Sequence, residues 1–330
     1  MKSIFGRIGG VVASVFAGAL LAISMPVLAA PTFSNMVVFG DSLSDTGNLF
    51  IATGGTQPPA GQPYFNGRFS DGPLWVESLA AGLNLPLASN PYLVGGNNYA
   101  FAGARTGTSS SPPGLLAQVG GLWGPMHPLA DPAALYVVVA GGNDLRDARS
   151  APGNTAATRQ AAAQAAANNV FNSVALLAVR GARHVLIANL PDLGATPEAA
   201  LPGLTAQSTD VTLRFNALIG AFEASLEALF SGLDVDMLDM FGLGAAIRTD
   251  ALSNGGATYG ITNVNSPCAG FLGSSGAACN VSLFSDALHP SARAHALLGA
   301  AALAALVPEP ASLALVVLAL TGLVVVRRRA

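Results

Sequence analysis

Five short apolar runs punctuate the chain, at residues 36–39, 99–102, 135–140, 184–188 and 235–238. Each is flanked by turn-forming residues and has the length and composition of a buried strand. Longer stretches with helical signals lie between or after them. Residues 73–83 open with Pro73 at a first-turn position, and residues 155–180 are alanine-rich and stop at Gly181. Residues 210–230 and 291–306 read as two further helices. This alternation predicts an α/β fold with a parallel, doubly wound sheet. No internal repeat is apparent, and the Gly- and Pro-rich stretches 54–67 and 106–113 read as surface loops within one domain.

The first run, "MVVFGDSLSDTGN", passes directly into Gly40-Asp41-Ser42. All three residues punctuate loops, so a plain turn is one reading. The other is that Ser42 is a nucleophile. Ligands of open α/β sheets bind beyond the carboxyl ends of strands, near a topological switch point, and Ser42 would sit at that edge. A helix starting there would aim its free amides at the same spot. A serine nucleophile also needs a base. Of the four histidines, His184 begins a strand, His127 lies in a loop without a nearby acid, and His295 falls on a helix as a surface or packing residue. His289 differs: "SDALHPS" places Asp286 three residues ahead, close enough for its carboxylate to accept the Nδ1 proton and leave Nε2 facing the serine. Taken alone, such a pair is also an ordinary surface turn.

Acyl transfer requires donors to a tetrahedral oxyanion. "YVVVAGGNDLRD" carries Asn143 out of an apolar run, with an amide to donate, and "NNYAFAGART" ends at Gly103, whose backbone N–H is unobstructed by a side chain. Gly40-Asp41-Ser42-Leu43, Gly103, Gly141-x-Asn143-Asp144 and Asp286-x-x-His289 occur in the order of the GDSL, or SGNH, esterase/lipase family, which the chain resembles from residue 36 to about 306. "FGDSLSDTGN" and "NGRFSDGPLW" look like the branch containing secreted lipases, haemolysin-like phospholipases and autotransporter esterases. The resemblance implies a flavodoxin-like, three-layer sandwich with a mostly parallel five-stranded sheet and no metal or cofactor. It implies Ser42 as nucleophile, His289 as base, Asp286 as its orienting acid, and the Ser42 amide, Gly103 amide and Asn143 side chain as oxyanion donors. Many relatives carry Gly-Gly where this chain has Ala102-Gly103; the second glycine is matched to Gly103. Asp41 reads as a turn residue. Leu49, Phe50, Phe65 and Trp123 are candidates either for an acyl pocket or for loop packing.

The two ends add a destination. Residues 1–29 carry Lys2 and Arg7, an apolar run and "PVLAA", the pattern of a secretory signal peptide; a retained N-terminal membrane helix is the other reading. Residues 307–330 place Pro308-Glu309-Pro310 before an apolar run, 311–326, and a basic end, Arg327 to Arg329. At about 1.5 Å per residue the run reaches roughly 24 Å, slightly short of a hydrocarbon core. The tail resembles the PEP-CTERM sorting signal of Gram-negative bacteria, which an exosortase removes, and is otherwise a simple anchor. Signal peptidase and exosortase are thus expected partners, and the periplasm, then the cell surface or matrix, the expected location.

Without both ends, ten arginines face seventeen acids, a net charge near −7 that argues against nucleic acid as a partner. Lys2 is the only lysine, so the 30–306 domain has neither Schiff-base chemistry nor a lysine-bearing phosphate loop. Cys268 and Cys279, exported and closely spaced, are expected to form a disulfide, and no further ligands at suitable spacing suggest zinc. Three functions follow: a secreted serine ester hydrolase acting on acyl or lipid esters, an O-acetyl esterase of exported polysaccharide, or a non-catalytic surface protein retaining the fold.

Overall fold

Four of the apolar runs form one parallel sheet: β1 (Met36–Gly40), β2 (Leu135–Val139), β3 (His184–Ala188) and β4 (Asp234–Leu238), hydrogen-bonded in that order. The computed structural model that shows this describes residues 32–307. The expected signal peptide and most of the expected sorting tail lie outside the described residues. Among the described residues, no helix is long and apolar enough to cross a membrane.

Strand side chains alternate between faces; β1, β2 and nearly all of β3 are buried on both, which is why they read as continuous apolar runs, whereas β4 carries Asp234 exposed and Asp236 half-buried. Val37, Phe39, Tyr136, Val138, Val185, Ile187 and Val235 share one core. It is covered by α3 (Leu115–Ala117), α4 (Gly142–Ser150), α5 (Ala156–Val179), α7 (Thr205–Ile219) and α8 (Phe222–Leu229). Met36, Val38, Leu135, Val137 and Leu186 share the other core with α2 (Trp75–Gly82), α10 (Ala292–Ala305) and the start of α9 (Met240–Asn254). The layers are those of a three-layer sandwich. Two short helices, α1 (Asn48–Ala52) and α6 (Pro197–Ala200), lie in connections.

Local signals set several boundaries. Thr155 and Ser291 cap α5 and α10 by accepting the amides of Thr158 and Ala294. The single helix expected over 210–230 is two, α7 and α8, parted at Gly220 and Ala221, where glycine's poor helix propensity makes a break inexpensive. A small parallel pair, β5 (Asn263–Pro267) and β6 (Ser282–Phe284), was not legible as apolar runs.

The fifth run, 99–102, departs from expectation. Residues 97–101 lie along the free edge of β1 and bond as a parallel neighbour would: Val38 N–H donates to Asn97 O, Tyr99 N–H to Val38 O, and Phe101 N–H to Gly40 O, at 2.7–3.1 Å. Only Asn98 forms a bridge, so the main sheet has four regular strands rather than five. The outer edge of this segment is satisfied by side chains. Asn48 Nδ2 donates to Asn98 O and Ala100 O at 2.7 and 2.9 Å, and the Asp45 carboxylate accepts Ala102 N–H at 2.8 Å. Counting the segment, the spatial order is the flavodoxin-like 2-1-3-4-5, with its switch point between β1 and β2.

Candidate active site

Gly40 pairs in register with Val139, so the residues that follow β1 and β2 emerge side by side at the switch point. A Cβ on Gly40 would lie 2.4 Å from Val139 O, and only glycine permits this approach. Gln118 holds the glycine from above by a reciprocal pair of bonds, Gly40 N–H to Oε1 and Nε2 to Gly40 O, both 2.8 Å. Ser42 follows in a turn in which Asp41 O accepts the amides of Ser44 and Asp45. No helix begins at Ser42, contrary to expectation: α1 starts only at Asn48, and the helix N-terminus at this edge is that of α4. Asp41 is a turn residue whose Oδ1 accepts Leu43 N–H at 3.1 Å; burial pushes its carboxyl up to about 6.

Across 247 positions, His289 Nε2 lies 2.9 Å from Ser42 Oγ, and its Nδ1 lies 2.7 Å from Asp286 Oδ2. The other carboxylate oxygen accepts the backbone amides of Leu288 and His289, at 2.8 and 2.6 Å. Burial would raise the Asp286 carboxyl, but the charge and hydrogen bonds of His289, with help from Tyr64, hold it well below the usual carboxylate range. An ionised carboxylate only accepts, so Nδ1 carries the ring proton and Nε2 is free to accept from Ser42. Tyr64 also donates its hydroxyl to Asp286 Oδ2 at 2.7 Å. Burial and the neighbouring carboxylate raise the Tyr64 hydroxyl, keeping it protonated and a donor. No local pattern singles out Tyr64, which lies 222 positions from its partner.

The remaining histidines are elsewhere. His295 is fully buried, its Nδ1 accepting Trp75 N–H at 3.3 Å, and burial lowers it to about 3. His127 stacks on Trp123, and His184 packs edge-on against Phe33.

Three polar clamps bring the oxyanion candidates to Ser42. Asp45 accepts the amides of Gly47 and Asn48 as well as Ala102 N–H, joining the loop after β1 to the residue before Gly103. Asp144 accepts Thr106 N–H and Oγ–H at 3.0 and 2.8 Å, drawing the segment after Gly103 towards α4. Asn143 Nδ2 donates to Ala104 O at 2.9 Å, and its Oδ1 accepts from Arg146 Nη1 at 3.2 Å. An amide NH2 has two protons, so one stays available for a substrate oxygen. Gly103 has φ +80°, a left-handed conformation that favours glycine. Arg146 and Arg149 both pair with Glu198, whose own N–H donates to Ala287 O at 2.8 Å, between Asp286 and His289.

Two cavities flank Ser42 and His289. One, of about 430 Å³, is lined by Gln62, Tyr64, Gly103, Asn143, Arg146 and Glu198. The other, of about 460 Å³, is lined mainly by apolar residues of α9 and its neighbours. Leu49 borders the cavity of about 430 Å³. Trp123 is 2 % exposed and packs in the core against Phe39 and Tyr136, and neither Phe50 nor Phe65 lines either cavity.

Cys268 and Cys279 are joined in a disulfide. Cys268 N–H donates to Phe284 O and Ser285 O, and Phe271 inside the loop packs edge-on against Tyr64 at 5.0 Å. The bond therefore restrains the segment leading to Asp286 from two sides. Reduction is expected to lower unfolding free energy by about 2–3 kcal/mol, the loop-closure scale for so short a loop, and to lower ester turnover. Paired thermal melts and assays with and without reductant check this; unchanged melting after verified reduction would contradict it.

The parallel sandwich and the serine–histidine–aspartate chain at its switch point define an α/β protein arranged for serine nucleophilic chemistry. The chain belongs to the GDSL family: the model described as GDSL-like Lipase/Acylhydrolase matches residues 36–302. It is 29% identical to a phosphatidylcholine-sterol acyltransferase of Aeromonas hydrophila over 209 residues, 57% of this chain and 54% of that protein. It is 31% identical to Lipase 1 of Photorhabdus luminescens, covering 56% of this chain and 26% of the lipase. To the esterase EstA of Pseudomonas aeruginosa it is 27% identical, covering 82% and 47%. The chain thus spans between about a quarter and about half the length of these relatives.

Proposed function

We propose that the chain is a serine ester hydrolase that cleaves carboxylic esters of acyl or lipid type through an acyl-enzyme at Ser42. The observation that carries this is the continuous chain from Ser42 Oγ to His289 Nε2, at 2.9 Å, and from His289 Nδ1 to Asp286 Oδ2, at 2.7 Å. Ser42 Oγ attacks the ester carbonyl while His289 Nε2 takes its proton. The carbonyl oxygen becomes an oxyanion, stabilised by the amides of Ser42 and Gly103 and the spare proton of Asn143. As the tetrahedral intermediate collapses, the proton on His289 passes to the departing alcohol. Water then attacks the acyl-enzyme with His289 again as base, and as the bond to Ser42 Oγ breaks the proton returns from His289 to that oxygen and the acid leaves. Asp286 stays ionised throughout, fixing the ring and balancing the imidazolium. Family membership and relatives named as lipase, esterase and lipid acyltransferase support this reading.

A fluorophosphonate should add once, at Ser42, and abolish hydrolysis of an aryl ester, as read by peptide mass spectrometry. Active protein without an adduct at Ser42 would defeat the proposal. Deacetylation of an exported polysaccharide would use the same residues, and including acetylated glycan among the substrates separates the two.

The proposed setting is outside the inner membrane. A signal peptidase would release the N-terminus, and an exosortase would process the tail near Pro308-Glu309-Pro310. Intact-mass analysis and fractionation in a host with the exosortase should find shortened protein at the surface or in the matrix. Finding only uncleaved protein in the inner membrane would make the tail a plain anchor, with the ester chemistry unaffected.

A further inference from the structure

We propose that helix α9 is a ruler for the acyl chain, with Gly244 and Leu252 setting the preferred chain length; this rests on the ester-hydrolase reading. The larger cavity opens on Ser42 and His289 and continues along α9. Phe241, Gly244, Arg248 and Leu252 line it at intervals of three and four residues, so they form one stripe along the helix. Leu190, Leu243, Phe284 and Leu298 complete apolar walls. An acetyl group would leave such a groove empty, whereas an alkyl chain fills it and gains by leaving water.

The length of the stripe sets the scale. Eleven residue steps from Phe241 to Leu252 correspond to about 16 Å of helix. A fully extended backbone advances roughly 3.3–3.6 Å over three bonds, or about 1.2 Å per bond, so a chain of about 14 carbons spans the stripe. Leu252 is 68 % exposed and marks where further carbons would emerge into solvent. Gly244 keeps the middle open: a Cβ built there meets nothing within 4 Å. Its φ lies outside the left-handed region, so a side chain costs no backbone strain and points into unfilled space. Arg248 does not obstruct by salt-bridging across the groove. Its Nη1 is bonded to Val264 O at 2.6 Å. The other cavity beside Ser42 reaches Gln62, Tyr64 and Glu198, which offer polar partners to an alcohol. The favoured substrate class is therefore an amphiphilic ester, a medium-to-long acyl chain on a polar alcohol.

The test measures kcat/KM of the wild type, Gly244→Leu and Leu252→Asp on p-nitrophenyl esters from acetate to hexadecanoate. Leucine is a better helix former than glycine, so Gly244→Leu should fold, which circular dichroism can verify. In the wild type, kcat/KM should be highest near 14 carbons. In Gly244→Leu the ratio of dodecanoate to acetate should fall about tenfold or more, the scale on which a pocket discriminates by size. In Leu252→Asp, an exposed position where folding is not threatened, the loss should be confined to the longest chains. Unchanged ratios in both variants, with an active wild type, would overturn the ruler alone. A wild type inactive on every ester, acetate included, would instead overturn the ester-hydrolase reading and the ruler with it.

Discussion

Ser42→Ala should reduce kcat on an activated ester by about 10⁴–10⁶-fold, and His289→Ala by a similar factor, because serine and base act as one unit in the proposed mechanism. The hydrogen bond between them, 2.9 Å long, joins groups 247 positions apart, and without either group the proton transfer from Ser42 Oγ to His289 Nε2 is lost. The double variant should therefore be no slower than either single one by more than a small factor. Asp286→Ala should cost less, of the order of 10⁴-fold, since in the proposed mechanism it orients the ring and balances its charge without making or breaking a bond. Neither Ser42 nor His289 supports the core to an extent that predicts unfolding; both lie at the sheet edge. Circular dichroism and melting alongside stopped-time assays would separate loss of chemistry from loss of fold. A folded Ser42→Ala protein that keeps most of its activity would remove Ser42 from the mechanism.

The second large effect belongs to Asn143. Asn143→Ala should lower kcat by about 10²–10³-fold with little change in KM, the loss expected when one preorganised oxyanion donor is removed. The side chain is preorganised because both ends are already engaged: Nδ2 with Ala104 O and Oδ1 with Arg146 Nη1. Arg146 is fixed in turn by Glu198. Asn143→Asp sharpens the test. It keeps the size but replaces the donor with a charge that repels an oxyanion, so it should be at least as slow. An effect confined to KM in both variants would make Asn143 a ground-state binding residue.

Legibility followed the range of the physics involved. β1, β2 and β3 were readable because burial on both faces demands continuous apolar runs, β4 by Val235, Met237 and Leu238 despite Asp236, and helix ends such as Thr155 and Ser291 because caps are local. The run at 99–102 has a strand's apolar pattern, yet the polar side chains of Asn48 and Asp45 replace a ladder on its outer edge. Nothing in the pattern of hydrophobic positions reveals that exchange. Within "FGDSLSDTGN" the tasks of Asp45 and Asn48 were not legible for the same reason: they bond to residues some fifty positions away. Trp123 was a reasonable pocket candidate by its loop context, but its ring is part of the core, and the apolar groove is built from α9 instead.

By itself, the sequence determined the class of chemistry on offer and the fold that could present it: a serine at a strand end, a histidine three residues after an aspartate, two donors at other strand ends, and no lysine in the domain. These follow from residue types and short spacings, which are one-dimensional quantities. The tertiary structure alone decided that Tyr64 supports Asp286, that Gln118 clamps Gly40, that Asp45 and Asp144 draw the Gly103 segment to Ser42, and that α9 borders an apolar groove. Each is a contact between segments distant in the chain. Such contacts are set by how buried polar groups find partners and how helices leave space between them, and neither leaves a periodic trace in the chain.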